Sequence, residues 1–260
     1  MNAEQEELLK IQATYKTIHT IIQNRYKGLV VSKFSQSIQP VSAFLNLNQH
    51  TKDGICQALV NRWIAAHAAD GSLWNEVYQT VNNQSAIKIE AIRGLMAEFQ
   101  EGIGGNQTSM GPYQKLNTEV WLMKRGVIPR MTIAGGQRIY EEGYRTSAQG
   151  TMIADPNLGT KVMDALPAAR AFGRGEGSYA MISVKSEKGG HVMCAYLGGG
   201  GTNKKYPYSD VAFFDPNLGE LWFDRGENFA KFFGYLCQIL YSDFAGFQIR
   251  SFARRATFAA

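Results

Sequence analysis

The sequence predicts an α+β fold, a mainly helical first half packed on a small antiparallel sheet formed by the second half. Three observations predict it. Up to about residue 124, apolar residues recur at three- and four-residue spacing, the period of a helix with one buried face. From residue 179 onward, short β-branched or aromatic runs are separated by Gly-rich or Asn/Pro turns, the signature of strands. The two patterns occupy separate halves of the chain instead of alternating, which argues against βαβ units and a parallel sheet. At 260 residues, 45% apolar and 12% aromatic, the chain has material for a sizeable core.

The first 27 residues read as one helix, because Leu8, Ile11, Tyr15, Ile18 and Ile22 fall on one stripe. A stretch with Pro40 and several Ser, Gln and Asn residues follows and reads as irregular, or as a short strand pair. Residues 54–69 are helical again, with Ile55, Leu59, Trp63 and Ile64 aligned, and further helices are expected over 73–81, 85–99 and 112–124. The Gly-, Asn- and Ser-rich stretch 102–111 separates the last two. Strands are expected over 179–185, 191–197, 211–214 and 220–223, then a helix over 227–241 and a final strand near 247–252.

The bulk properties exclude several classes. A net charge of +5 comes from 27 scattered basic residues, with only short pairs such as Lys204-Lys205 and Arg254-Arg255, so no nucleic-acid face is expected. The three cysteines at 56, 194 and 237 lack CxxC spacing, which suggests neither a disulfide framework nor a zinc knuckle and fits a reducing compartment. Neither a metal-ligand cluster nor a phosphate-loop motif stands out, so no cofactor is expected. The amphipathic start of the chain lacks the apolar core of a signal peptide, Asn2 is not a myristoylation acceptor, and no apolar run is long enough for a membrane span.

Cys56 is the residue most suggestive of chemistry. It follows Thr51-Lys52-Asp53-Gly54-Ile55, where Thr51 or Asp53 is a plausible N-cap. The thiol then lies in the first helical turn, where free backbone N–H groups and the helix dipole favour an anion, and the thiolate is the reactive form of cysteine. The competing reading is a small buried apolar residue, the commoner fate of free cysteine. Four histidines are available as a base. His67 returns to nearly the same helix face but lies eleven residues on, about 16 Å away along the axis. His19 belongs to the first helix, and His50 to a loop just before the cysteine. His191 opens a strand after Gly189-Gly190, where paired glycines permit close backbone approach. If Val211-Ala212-Phe213-Phe214 is the antiparallel return strand, Asp215 comes back beside His191, where it can orient the imidazole. Its competing reading is a turn-forming Asp before Pro216-Asn217.

Three stretches resemble the YopT/AvrPphB-type papain-like cysteine proteases, mostly effectors injected by bacteria into host cells. Gly54-Ile55-Cys56-Gln57-Ala58-Leu59 with Arg62-Trp63-Ile64 is similar to the family's nucleophile helix. Gly190-His191-Val192 is similar to its histidine strand, and Phe213-Phe214-Asp215-Pro216-Asn217-Leu218-Gly219-Glu220 to its acidic turn. The likeness covers roughly residues 48 to 245. The interval between His191 and Asp215 is longer than the family's, which implies an extended hairpin tip around Gly198–Gly201.

The resemblance implies a papain-like fold over residues 46–260, preceded by a segment 1–45 that serves delivery, docking or packing. It implies a Cys56–His191–Asp215 triad in an endopeptidase secreted by a bacterium and acting on a host protein in the host cytoplasm. A secretion chaperone or an immunity or docking partner would fit the same setting. The family's oxyanion donor is an Asn or Gln shortly before the cysteine, which points to Gln49. A glutamine deamidase or transglutaminase using the same triad, or an inactive binding module, are the alternatives.

Overall fold

The computed structural model describes residues 3–51, 54–103, 110–129, 132–134, 137–139, 141–145, 177–186, 189–199, 209–241 and 246–254. The first helix, α1 (Ala3–Tyr26), runs unbroken and ends at Lys27, whose left-handed backbone turns the chain. There follow β1 (Gly28–Ser32) and a short α2 (Val41–Asn46). The local strand pair considered around Pro40 does not form. Instead β1 pairs with a strand nearly two hundred residues later, a partner that short-range pattern cannot reveal.

Helix α3 (Cys56–Ala68) begins at the cysteine itself and buries Leu59, Val60, Trp63 and Ile64. It stops where Asp70 takes a left-handed backbone (φ 56°), so that the Asp70 and Gly71 N–H groups donate back to the His67 and Ala66 carbonyls. Helix α4 (Leu73–Val77) is shorter than expected, and α5 (Ile89–Ile103) starts later. Between them β2 (Tyr78–Val81) and β3 (Gln84–Ile87) form a hairpin, so the helices expected over 73–81 and 85–99 are each cut back. The physical reason is Asn82-Asn83: both are left-handed (φ 50° and 61°), as a two-residue primed turn requires and as asparagine tolerates. Helix α6 (Met110–Met123) follows; most of the linker expected at 102–111 lies outside the described residues.

The second half contains more strand than its sequence announces. To the expected β8 (Ser178–Ser186), β9 (Gly189–Leu197), β10 (Val211–Asp215), β11 (Gly219–Phe223) and β12 (Gly246–Arg254) are added β4 (Val127–Pro129), β5 (Thr132–Ala134), β6 (Gln137–Ile139) and β7 (Glu141–Arg145). The helix α7 (Gly226–Leu240) lies between β11 and β12. Among the described residues the main sheet has eight strands in the order β1-β11-β10-β9-β8-β12-β4, with β7 also on β12, and every pairing is antiparallel. The α+β class is therefore as expected, but the sheet is larger. The Gly198 N–H donates to the Asp210 carbonyl at the base of the β9–β10 connection, while its tip, including Lys204-Lys205, lies outside the described residues, as does most of the Gly173–Gly177 run.

The sheet is covered on both faces. On one, Ile18 and Ile22 of α1 and Phe229, Phe232, Phe233 and Leu236 of α7 pack on Ile182, Met193, Phe213 and Phe223. On the other, Leu59, Trp63 and Ile64 of α3 and Ile92 of α5 pack on Tyr179, Met181, Cys194 and Phe214. Residues of α1 thus share a core with the strands that carry His191 and Asp215. Among the described residues, no helix is long and apolar enough to cross a membrane.

Candidate active site

The nucleophile candidate stands at an uncapped helix start. Ile55 is the N-cap of α3 and offers no side-chain hydrogen bond, so the expected capping by Thr51 is not observed. Thr51 is fully buried, and its hydroxyl donates to the Leu45 carbonyl; Asp53, the other candidate cap, lies outside the described residues. No carboxylate stands in the first turn of α3 to compete for its N–H groups. Gly54 makes this entry possible, since its φ of 108° is unfavourable for any residue with a Cβ. Cys56 is part-exposed, whereas Cys194 and Cys237 are buried. Burial holds the Cys194 thiol well above its ordinary pKa, and burial followed by the charge of Asp215 pushes Cys237 to about 12.

His191 and Asp215 meet across the β9–β10 ladder. Phe214 pairs with Cys194, so Asp215 lies one step beyond that pair and diagonal to His191 on the same face. The His191 Nε2 lies 2.8 Å from Asp215 Oδ1. With that nitrogen engaged by the carboxylate, Nδ1 is left for the thiol, and His191 is within hydrogen-bonding reach of Cys56. Burial by itself lowers the pKa of the imidazole, but the charge and hydrogen bond of Asp215, aided by Cys56, outweigh it and raise the value to about 10. The structure therefore brings Cys56, His191 and Asp215 together.

Asp215 is fully buried and heavily held. Its Oδ1 also accepts from the Asn217 N–H at 2.8 Å, and its Oδ2 accepts from the Tyr241 hydroxyl at 2.5 Å. The turn ends at Gly219 (φ 94°), where a Cβ would collide with the Ser32 carbonyl of β1. Asn217 orients Asp215 and not His191: its Oδ1 accepts from Ser37 Oγ and Gln36 Nε2. Two of the other histidines are engaged elsewhere, and His50 is exposed on the turn after α2. His67 Nδ1 contacts the Tyr179 hydroxyl at 2.8 Å inside an aromatic cluster, and His19 Nε2 contacts the Leu218 carbonyl at 2.9 Å.

Gln49, the amide expected to serve the oxyanion, is exposed on the turn after α2. The buried amide in this region is Gln36, whose Oε1 accepts the Ile55 N–H at 2.9 Å while its own backbone N–H donates to the Pro216 carbonyl at 2.8 Å. It joins the residue before the nucleophile to the turn after the acid. Sequence reasoning missed Gln36 and Tyr241, because one lies twenty residues before Cys56 and the other at the end of an ordinary apolar helix. Neither carries a local signal. Among the described residues, no group of His, Cys, Asp and Glu could hold a metal ion.

A part-exposed thiol beside a carboxylate-bound imidazole, on a helix packed against an antiparallel sheet, is the equipment of a papain-like thiol hydrolase. Known proteins make the class specific. The Peptidase_C58 family model, described as Yersinia/Haemophilus virulence surface antigen, matches residues 20–243, and the chain belongs to this YopT/AvrPphB family of cysteine proteases. It is 28% identical over 232 residues to the cysteine protease yopT1 of Yersinia enterocolitica serotype O:8 / biotype 1B, covering 84% of this chain and 64% of the relative. It is 26% identical over 230 residues to the protein adenylyltransferase and cysteine protease IbpA of Histophilus somni, covering 87% of this chain and 5% of that protein. The chain thus spans less than two thirds of the length of these relatives. Among solved structures, it is similar to the Pseudomonas avirulence protein AvrPphB, with a TM-score of 0.48, 15% identity, and coverage of 79% of this chain and 95% of that one. The YopT domain of the Pasteurella multocida PfhB2 toxin gives a TM-score of 0.36, with 24% identity, 81% of this chain and 89% of that one.

Proposed function

We propose that this protein is a cysteine endopeptidase that a bacterium delivers into host cells, where it cleaves a host protein. The observation that carries the proposal is the part-exposed Cys56 within hydrogen-bonding reach of an imidazole that is itself bonded to Asp215. Cys56, as a thiolate paired with the His191 imidazolium, attacks the peptide carbonyl carbon; the C–N bond then breaks as His191 gives its proton to the leaving amine. The resulting thioester is hydrolysed by water, which His191 deprotonates, and the thiol is restored. Asp215 holds the imidazole in the tautomer that presents Nδ1 to sulfur.

The oxyanion is stabilised by the Cys56 backbone N–H and a side-chain amide. Gln36, not Gln49, takes that part. Its Oε1 is fixed by the Ile55 N–H, which leaves Nε2 one proton for Asn217 Oδ1 and a second for the oxyanion. The decisive experiment compares new protein N-termini in host cells that receive the wild type or Cys56→Ala. Discrete cleavage products that appear only with the wild type support the proposal. Substrate changes confined to a shift of about one mass unit, without fragments, would instead identify a deamidase using the same thioester chemistry.

A further inference from the structure

The His191–Asp215 pair is closed on its far side by a residue from the last helix. Tyr241 caps the C-terminus of α7, its N–H donating to the Cys237 carbonyl, and it is only 3% exposed. Its ring lies against the His191 imidazole, with centroids 5.1 Å apart and planes 20° from parallel. Its hydroxyl donates to Asp215 Oδ2 at 2.5 Å, while Oδ1 serves His191 and the Asn217 N–H. Both carboxylate oxygens are therefore occupied, and the carboxylate cannot rotate without breaking a charge-assisted bond. The stacked ring occupies one face of the imidazole, which limits both its tilt and the access of water to the Nε2–Oδ1 bond.

We propose, building on the triad reading above, that Tyr241 is a positioning residue that fixes the plane of His191 and the rotamer of Asp215 together. Filling space alone does not account for it: phenylalanine fills the same volume, and a buried hydroxyl is retained where it has a partner to satisfy. Here the partner is the carboxylate bonded to His191, not a backbone carbonyl. Burial first, and then the charge of Asp215, hold the Tyr241 hydroxyl well above its ordinary pKa, so it remains a proton donor throughout the working range. Among the described residues, the titratable groups near it include Asp215, His191, Cys237 and Tyr15 of α1, whose own pKa is raised to about 12 by burial and by Asp215.

Two variants separate the hydroxyl from the ring. Tyr241→Phe keeps the stack and removes the donor, while Tyr241→Leu removes both. The substrate being unidentified, the probe is iodoacetamide, with the alkylation rate of Cys56 read by mass spectrometry at pH 6. It is accompanied by the solvent-exchange rate of the low-field His191 Nε2–H proton resonance, measured well below the melting temperature. Tyr241→Phe is expected to slow alkylation about tenfold and to speed exchange of that proton, with Tyr241→Leu more severe on both. A purely structural residue would change the melting temperature and leave both readings at wild-type values; that result in folded Tyr241→Phe overturns the proposal even if Tyr241→Leu fails to fold. His191→Ala serves as the control. If His191→Ala still alkylates at the wild-type rate, the triad reading itself falls; if it slows and the Tyr241 variants do not, only the role of Tyr241 falls.

Discussion

Cys56 and Asp215 stand at opposite extremes of confinement within one site. The thiol is part-exposed at an uncapped helix start, entered through a left-handed glycine. The carboxylate is fully buried, accepts from His191, Asn217 and Tyr241, and sits in a turn braced by Gln36 and Ser37. Each arrangement suits the task proposed for it. A nucleophile must admit a polypeptide and exchange bonds with it, so packing around it is left open. An orienting charge never touches substrate, and misplacement by a fraction of an ångström misdirects the imidazole, so packing around it is closed.

The largest effects should come from the open side. Brief iodoacetamide treatment with mass mapping is expected to label Cys56 alone, because burial holds the other two thiols in the unreactive protonated form. Preferential labelling of Cys194 or Cys237 would break the comparison at its root. Likewise His191→Ala should abolish cleavage in a host-cell lysate, whereas His67→Ala should preserve it, since His67 is committed to the Tyr179 hydroxyl.

On the closed side, Asp215→Asn should cost roughly ten- to a thousandfold in rate with the circular dichroism spectrum unchanged, because a cysteine enzyme that rests as an ion pair depends less on its orienting charge than a serine enzyme does. Asn217→Ala should cost less, as it leaves in place the backbone N–H that binds Asp215. Equal losses from the two substitutions would show that the turn, and not the charge, is what matters.

The brace itself is tested at Gly219. Gly219→Ala forces a Cβ into a left-handed position and against the Ser32 carbonyl, and should lower stability by more than about 2 kcal/mol in a denaturant titration. A neutral outcome would mean that β1 and the acidic turn are not rigidly joined.

The smallest effect concerns pH. The pKa of His191 is raised to about 10 in the folded protein, against about 6.5 when unfolded. Its protonation therefore contributes stability that is present in full below pH 6.5 and is lost as pH rises through 10. The melting temperature should decline over that window, and less so in Asp215→Asn, where the charge that retains the proton is gone. The alkaline limb of cleavage should move downward in the same variant. Identical pH profiles for the two proteins would remove Asp215 as the cause of the shift.

By itself the sequence determined the two-part α+β division, the helix whose first turn carries the thiol and the hairpin that returns Asp215 to His191. These are legible because they are short-range: a 3.6-residue period, a two-residue period and Gly or Asn/Pro turns are written within a few residues. The three stretches around Cys56, His191 and Asp215 then sufficed to suggest the family. Tertiary structure decided what depends on distant pairing. Strand β1 finds its partner far along the chain, the 78–87 region becomes a hairpin because two asparagines accept left-handed backbone, and an eight-stranded sheet replaces a smaller one. The surroundings of Asp215 were equally hidden. Gln36, Ser37, Tyr15 and Tyr241 come from opposite ends of the chain, and each looks locally like an ordinary polar or core residue. Tyr241 satisfies a carboxylate oxygen directly, Gln36 and Ser37 hold the turn through Asn217 Oδ1, and Tyr15 lies close enough for the charge of Asp215 to raise its pKa; only the completed tertiary packing brings these distant residues to one place.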